Sequence, residues 1–157
     1  AMVTFTVSAE LAAQLDQIGR SHGCTPFSTL LTVYATTLAR FTDTWDVAVG
    51  APVAGRDLPE LEKLVGFFLN TVVLRCRLDR DLTFDQALEQ IRPVCEGAVS
   101  HAGLPFDRLV DDLASDRDLS RTPLYQAAFD FQRGVVHTWR LLTRRVRLGV
   151  SPVLIAR

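Results

Sequence analysis

The sequence predicts an α/β sandwich in which helices pack on a mixed sheet, and three observations carry that expectation. Four segments alternate apolar and polar residues at two-residue spacing, as half-buried strands do. Between them lie segments whose apolar residues recur every three to four positions, most of them opened by a residue suited to a helix start. The two patterns follow one another as β-α-α-β-β-α-α-β, an order that lays helices over a sheet. The chain has 157 residues, 48% of them apolar and 22% charged. That is one domain with enough material for a substantial core.

Val3 to Val7 reads as the first strand by its alternation. Ser8 caps a first helix with Leu11, Leu15 and Ile18 on one face and Gly23 beyond its end. A second helix starts at Thr25, with Pro26 in the first turn, where a missing N–H costs nothing. Its apolar stripe is Phe27, Leu30, Leu31, Tyr34, Leu38 and Phe41. Trp45 to Val49 is a short strand, and Gly50, Pro52 and Gly55 form a loop group after it. Leu58 to Leu64 is an acidic helix or turn. Phe67 to Leu78 is the longest strand, with Phe68, Val72, Leu74, Cys76 and Leu78 on one face and Asn70 interrupting the row. Both Phe67 and Phe68 are expected in the core. Thr83 and Gln86 make a capping box for a third helix with an inner face of Phe84, Ala87, Leu88, Ile91, Cys95 and Ala98. Pro93 inside it is expected to kink it or to shift its hydrogen bonding. Pro105 opens a fourth helix with Phe106, Leu109, Val110 and Leu113 inward, and Leu124 to Phe131 returns to strand pattern.

Several function classes are disfavoured. No apolar run approaches the roughly 18–20 residues that cross a bilayer. The N-terminus shows no basic leader, and three scattered cysteines (Cys24, Cys76, Cys95) suit reduced thiols, so a cytoplasmic protein is expected. With no C-x-x-C and no histidine pair at ligand spacing, no metal site is expected. GAPVAGRD, Gly50 to Asp57, lacks the lysine and the Ser or Thr of a phosphate-binding loop. Charge breaks late in the chain: six of the 17 basic residues and none of the 18 acidic ones follow Gln132. That break marks a boundary, with residues 1–132 as one unit and 133–157 as a basic, atypical tail. Leu141, Leu142, Val146 and Leu148 favour a helix or strand packed on the lobe over a nucleic-acid-binding arm.

Two strings are the most specific: VGAPVAGRDLPELEKLVGFFLNTVVLR, Val49 to Arg75, and HAGLPFDRLVDDLASDRDLSRTPLYQAAFDFQ, His101 to Gln132. Together they resemble the C-terminal lobe of the condensation domains of nonribosomal peptide synthetases, over roughly Val3 to Gln132. The resemblance implies one lobe of the chloramphenicol-acetyltransferase-like fold, in which two similar lobes enclose a tunnel. It implies a wall of an enzyme that joins two carrier-bound acyl groups. The family's HHxxxDG motif is absent from this sequence, whose histidines (His22, His101, His137) are all isolated. No catalytic residue is therefore assigned, and the chain alone is expected to be inactive.

By the same resemblance, Arg56 pairs with the aspartate of HHxxxDG across the lobes. The alternative is a surface arginine facing Asp57 or Glu60. Asn70 lines the channel at the lobe junction, or else ties down a neighbouring loop, since an amide in an apolar strand needs partners. His101 is expected to close a helix rather than act as a base, and stands as a candidate for a motif turn or a carrier-protein contact. Arg117, Asp118, Ser120 and Arg121 read as a polar turn, with a carrier-protein contact as the alternative. The implied partners are the N-terminal condensation lobe, peptidyl and aminoacyl carrier proteins, and a second copy of the chain as a homodimer. Neither nucleic acid nor membrane is expected. No cofactor is expected to bind directly; 4′-phosphopantetheine would arrive on the carriers. Two further readings stand beside this one: a non-catalytic interaction or dimerisation module, and a small CoA-dependent acyltransferase, which the missing histidine motif disfavours.

Overall fold

The computed structural model describes residues 6–55, 60, 64–113, 122–131, 137–141 and 144–148, the last two segments as backbone only. Its elements run α1 (Ala9–Ser21), α2 (Pro26–Thr42), β1 (Asp46–Ala54), β2 (Leu69–Arg77), α3 (Phe84–Ser100), α4 (Phe106–Leu113), β3 (Ala127–Ala128), β4 (His137–Leu141) and β5 (Arg144–Leu148). One sheet has the order β2-β1-β3, antiparallel between β1 and β2 and parallel between β1 and β3. β4 and β5 pair antiparallel as a second sheet. The mixed sheet with helices laid on it is the predicted class. The Val3–Val7 strand falls outside the described residues up to Phe5, and Thr6 and Val7 belong to no regular element. The acidic segment from Leu58 lies almost wholly outside them.

Helix starts follow the sequence signals. Ser8 accepts from Leu11 N, Thr25 accepts from Ser28 N ahead of Pro26, and Thr83 and Gln86 close a reciprocal capping box. Gly23 takes a positive φ of 65° beyond α1, where a side chain would be strained. α3 continues through Pro93 as a single helix. α1 is only partly covered: Leu11 and Ile18 remain exposed, and the helix touches α2 most closely at Gly19, where a Cβ would collide with the Thr29 side chain.

Leu74, Cys76 and Leu78 of the β2 row are buried against Leu31, Tyr34, Ala35 and Ala39 of α2 and Ala87 and Ile91 of α3. Phe129 closes this core, stacking on Tyr34 with ring centroids 5.6 Å apart and tilting against Phe27 at 5.3 Å. Three aromatic or aliphatic expectations are corrected. Phe41 is 88% exposed on the last turn of α2, and Leu113 is 65% exposed at the end of α4. Phe67 is 86% exposed while Phe68 is half-buried. A two-residue pleat sends neighbours to opposite faces, so the strand that buries Leu74 and Cys76 turns odd-numbered residues away from the helices.

The loop expected at Gly50 and Pro52 is also corrected: β1 runs on to Ala54. Leu78 N donates to Trp45 O at 2.8 Å and Gly55 N to Phe68 O at 2.7 Å, so the odd-numbered residues of β1 exchange bonds with β2. Pro52 faces the other way, beyond the β1–β3 ladder that stops at Gly50, and no ladder bond needs its missing N–H. The same alternation points the backbone groups of Leu69, Thr71, Val73, Arg75 and Arg77 outward, along an edge of the sheet that pairs with no strand among the described residues. Arg75 there grips both carboxylate oxygens of Asp46 at 2.7–3.2 Å. The guanidinium holds the Asp46 carboxyl below the usual carboxylate range. Both groups are exposed, so the pair contributes little to stability. In place of a full strand over Leu124–Phe131, only Ala127 and Ala128 pair, and Leu124 carries a positive φ of 68°.

Candidate functional site

Asn70 sits opposite Val53, near the end of the β1–β2 ladder from which Gly55 leads into Arg56. Its side chain points to the helix side and reaches the α3–α4 connection. Nδ2 donates to Ala102 O at 2.8 Å and to Leu104 O at 2.7 Å, and Oδ1 accepts from Phe106 N at 3.1 Å. Both amide hydrogens are used, and the oxygen satisfies an N–H in the first turn of α4, a donor that a helix leaves orphaned. The geometry is that of a clamp on the loop 32–36 residues downstream. Of the two sequence readings, loop-tying is the one these three bonds draw. One lone pair on Oδ1 is left for anything else in contact.

His101 is the C-cap of α3, as expected. Nδ1 lies 2.8 Å from Gly97 O. A carbonyl only accepts, so the ring carries its hydrogen on Nδ1. Ser100 Oγ lies 2.9 Å from the same nitrogen and donates to Gly97 O at 2.8 Å. α1 ends the same way: His22 is its C-cap, with Nδ1 3.1 Å from Ile18 O and Ser21 beside it. The recurrence of a Ser–His pair at two helix ends marks a capping device. It was legible in the sequence as Ser21–His22 and Ser100–His101.

A further contact was not anticipated. The Tyr125 ring lies over Gly50, where a Cβ would come within 2.5 Å of it, and meets Phe106 edge-on at 5.7 Å. Gly50 is thus required by an aromatic ring rather than by a turn. At the close of the ladder, a Cβ on Gly55 would strike Phe68 O. Val65, Phe67 and Leu69, just ahead of Asn70 in the chain, and Leu104, whose carbonyl it holds, are exposed to solvent. Strand alternation about Asn70 was the signal that turns Phe67 and Leu69 outward.

Arg56, Arg117, Asp118, Ser120 and Arg121 lie outside the described residues. The chain order places Arg56 directly after Gly55, and Arg117 to Arg121 between α4 and β3. Cys24, Cys76 and Cys95 are buried and free. Burial pushes the Cys76 and Cys95 thiols up to about 12, which removes them as nucleophiles at neutral pH. Among the described residues there is no cluster of His, Cys, Asp and Glu suited to a metal ion, and no helix is long and apolar enough to cross a membrane.

Comparison with known proteins gives this arrangement a context. The model of the condensation-domain family matches residues 1–143, which runs past the charge break at Gln132. The chain is 43% identical over 132 residues to a linear gramicidin synthase polypeptide of Brevibacillus parabrevis, covering 84% of this chain and 3% of that protein. It is 41% identical over 130 residues to phosphinothricin tripeptide synthetase PhsC of Streptomyces viridochromogenes, covering 83% and 12%. The chain therefore spans a small part of the curated relatives it matches. Among solved structures it is similar to a four-domain nonribosomal peptide synthetase in its holo form, with a TM-score of 0.82 and 22% identity over 95% of this chain and 12% of the other. It is also similar to the X-domain from teicoplanin biosynthesis, with a TM-score of 0.76 and 26% identity, covering 82% and 28%.

Proposed function

This chain belongs to the condensation-domain family and adopts one lobe of the chloramphenicol-acetyltransferase-like fold, and we propose that it is the C-terminal lobe of a peptide-bond-forming enzyme of a nonribosomal peptide synthetase. The reaction joins two carrier-bound acyl groups. The amine of the acceptor attacks the thioester carbonyl of the donor, the C–N bond forms, the C–S bond breaks, and the departing pantetheine sulfur takes up a proton. A histidine from the missing HHxxxDG motif would assist that proton transfer, and this sequence holds no such pair. The lobe would supply a tunnel wall, with Arg56 reaching the partner lobe and the Arg117–Arg121 turn meeting a carrier protein. The 4′-phosphopantetheine arm would come from the carriers.

The observation that carries this reading is the condensation-domain match over residues 1–143, beside which Val65, Phe67, Leu69 and Leu104 stand exposed. Exposed large apolar side chains on a lobe call for a mate. Its test is a condensation assay with loaded donor and acceptor carriers. The chain alone is expected to give no product, and a chain bearing HHxxxDG on an N-terminal lobe, added in trans or fused, is expected to restore it. Turnover by the chain alone overturns the proposal.

A second reading is a non-catalytic interaction module. It is favoured by the likeness to the teicoplanin X-domain, which was solved in complex with OxyB. A restored tunnel that stays inactive while the chain captures a protein partner through the same exposed residues supports this reading over the first.

A further inference from the structure

We propose that the cleft at the far end of the β1–β2 ladder from Asn70 binds an amphiphilic monocarboxylate, such as a medium-chain fatty acid. The cleft encloses about 350 Å³, within the range of ~300–1,000 Å³ that small-molecule sites occupy. Its apolar wall is built from Leu15 and Ile18 of α1, Val33 of α2, Trp45 ahead of β1, Leu78 beyond β2 and Phe84 of α3. The lobe reading does not use it, because the clamp lies at the other end of the ladder.

Six polar residues also line it: Thr36, Thr37 and Arg40 of α2, and Asp79, Arg80 and Thr83. The Thr36 hydroxyl is buried, has no hydrogen-bond partner among the described residues, and is closed to the cleft. Arg40, four residues on, lines the rim and has no ion pair or hydrogen bond among the described residues. The other rim cation, Arg80, is engaged by Asp43 and lies over the Trp45 ring at 5.8 Å. Asp79 adds one negative charge to the rim. It opposes a second negative charge on a ligand, which favours a single carboxylate over a phosphate or a dicarboxylate. The carboxylate takes the Arg40 fork and the apolar body runs along Leu15, Ile18 and Val33.

Calorimetric titration of the 157-residue chain with decanoate, below the concentration at which it forms micelles, tests this directly. Decanol, equally long and uncharged, is the second probe. Decanoate is expected to bind saturably at one site. Arg40→Gln weakens it about tenfold, the scale of one charge-assisted bond, and leaves decanol unchanged. Val33→Trp, at a partly exposed rim position, fills the cleft and removes binding of both, with circular dichroism confirming the fold. The proposal is overturned if the unaltered chain binds no decanoate. It is equally overturned if Arg40→Gln leaves decanoate affinity unchanged, or if Val33→Trp leaves both probes bound.

Discussion

Asn70 shows how far a single residue can be read before its surroundings are known. An amide in an apolar strand had to find partners, and that much followed from its neighbours in sequence. Which partners it found, the backbone of Ala102, Leu104 and Phe106, depended on how α3 returns to the sheet. Asn70→Ala would leave two carbonyls and one N–H unmet. It is expected to cost about 2–3 kcal/mol in urea denaturation and to raise amide exchange in the α3–α4 connection. Gly50 is the converse case: the sequence suggested a turn, but the cause is the Tyr125 ring across the strand. Gly50→Ala is expected to destabilise the fold, and Tyr125→Ala in the same chain to return part of that loss, as a double-mutant cycle would measure. The thiols offer a third test. Cys76 and Cys95, pushed up to about 12 by burial, stay protonated in the folded chain above pH 9, whereas in the unfolded chain they ionise near 9. Their contribution to stability is present below pH 9 and is lost as pH climbs towards 12. At about pH 8, iodoacetamide is expected to spare them in buffer and to label them in denaturant.

At the scale of elements, the helix starts were the most legible part of the chain. Ser8, Thr25 and Thr83 are local signals whose chemistry is complete within a turn, so the fold had no occasion to override them. Thr83→Ala removes one half of the capping box and is expected to cost about 1 kcal/mol in thermal or urea unfolding. Strand limits were less legible, because a proline ends a strand only where its N–H would have been used. Pro52 escapes that rule through its register, a property of two strands and not of one. The apolar ends of helices misled in the same way. Phe41 and Leu113 continue a stripe that the helix holds correctly, yet the neighbouring elements stop short of them.

For the molecule as a whole, the resemblance to condensation domains gave the fold class and the lobe, while the polar turns that carry the proposed contacts lie outside the described residues. The exposure of Val65, Phe67, Leu69 and Leu104 belongs to this scale, since exposure is a statement about everything that could have covered them. Light scattering across a concentration series is expected to show self-association of the chain. Phe67→Asp is expected to reduce it without loss of thermal stability, because that side chain already faces solvent. A strict monomer at all concentrations would count against an unmatched face.

The outward margin of β2 carries one more consequence. Nine residues of extended backbone, with alternate amides and carbonyls facing no other strand among the described residues, are a template on which foreign strands can stack into insoluble ribbons. Arg75 and Arg77 stand along that margin as gatekeepers, their bulk and charge discouraging such stacking. Replacing both with threonine would leave the lobe's interior untouched and turn its rim into a nucleus for fibrils.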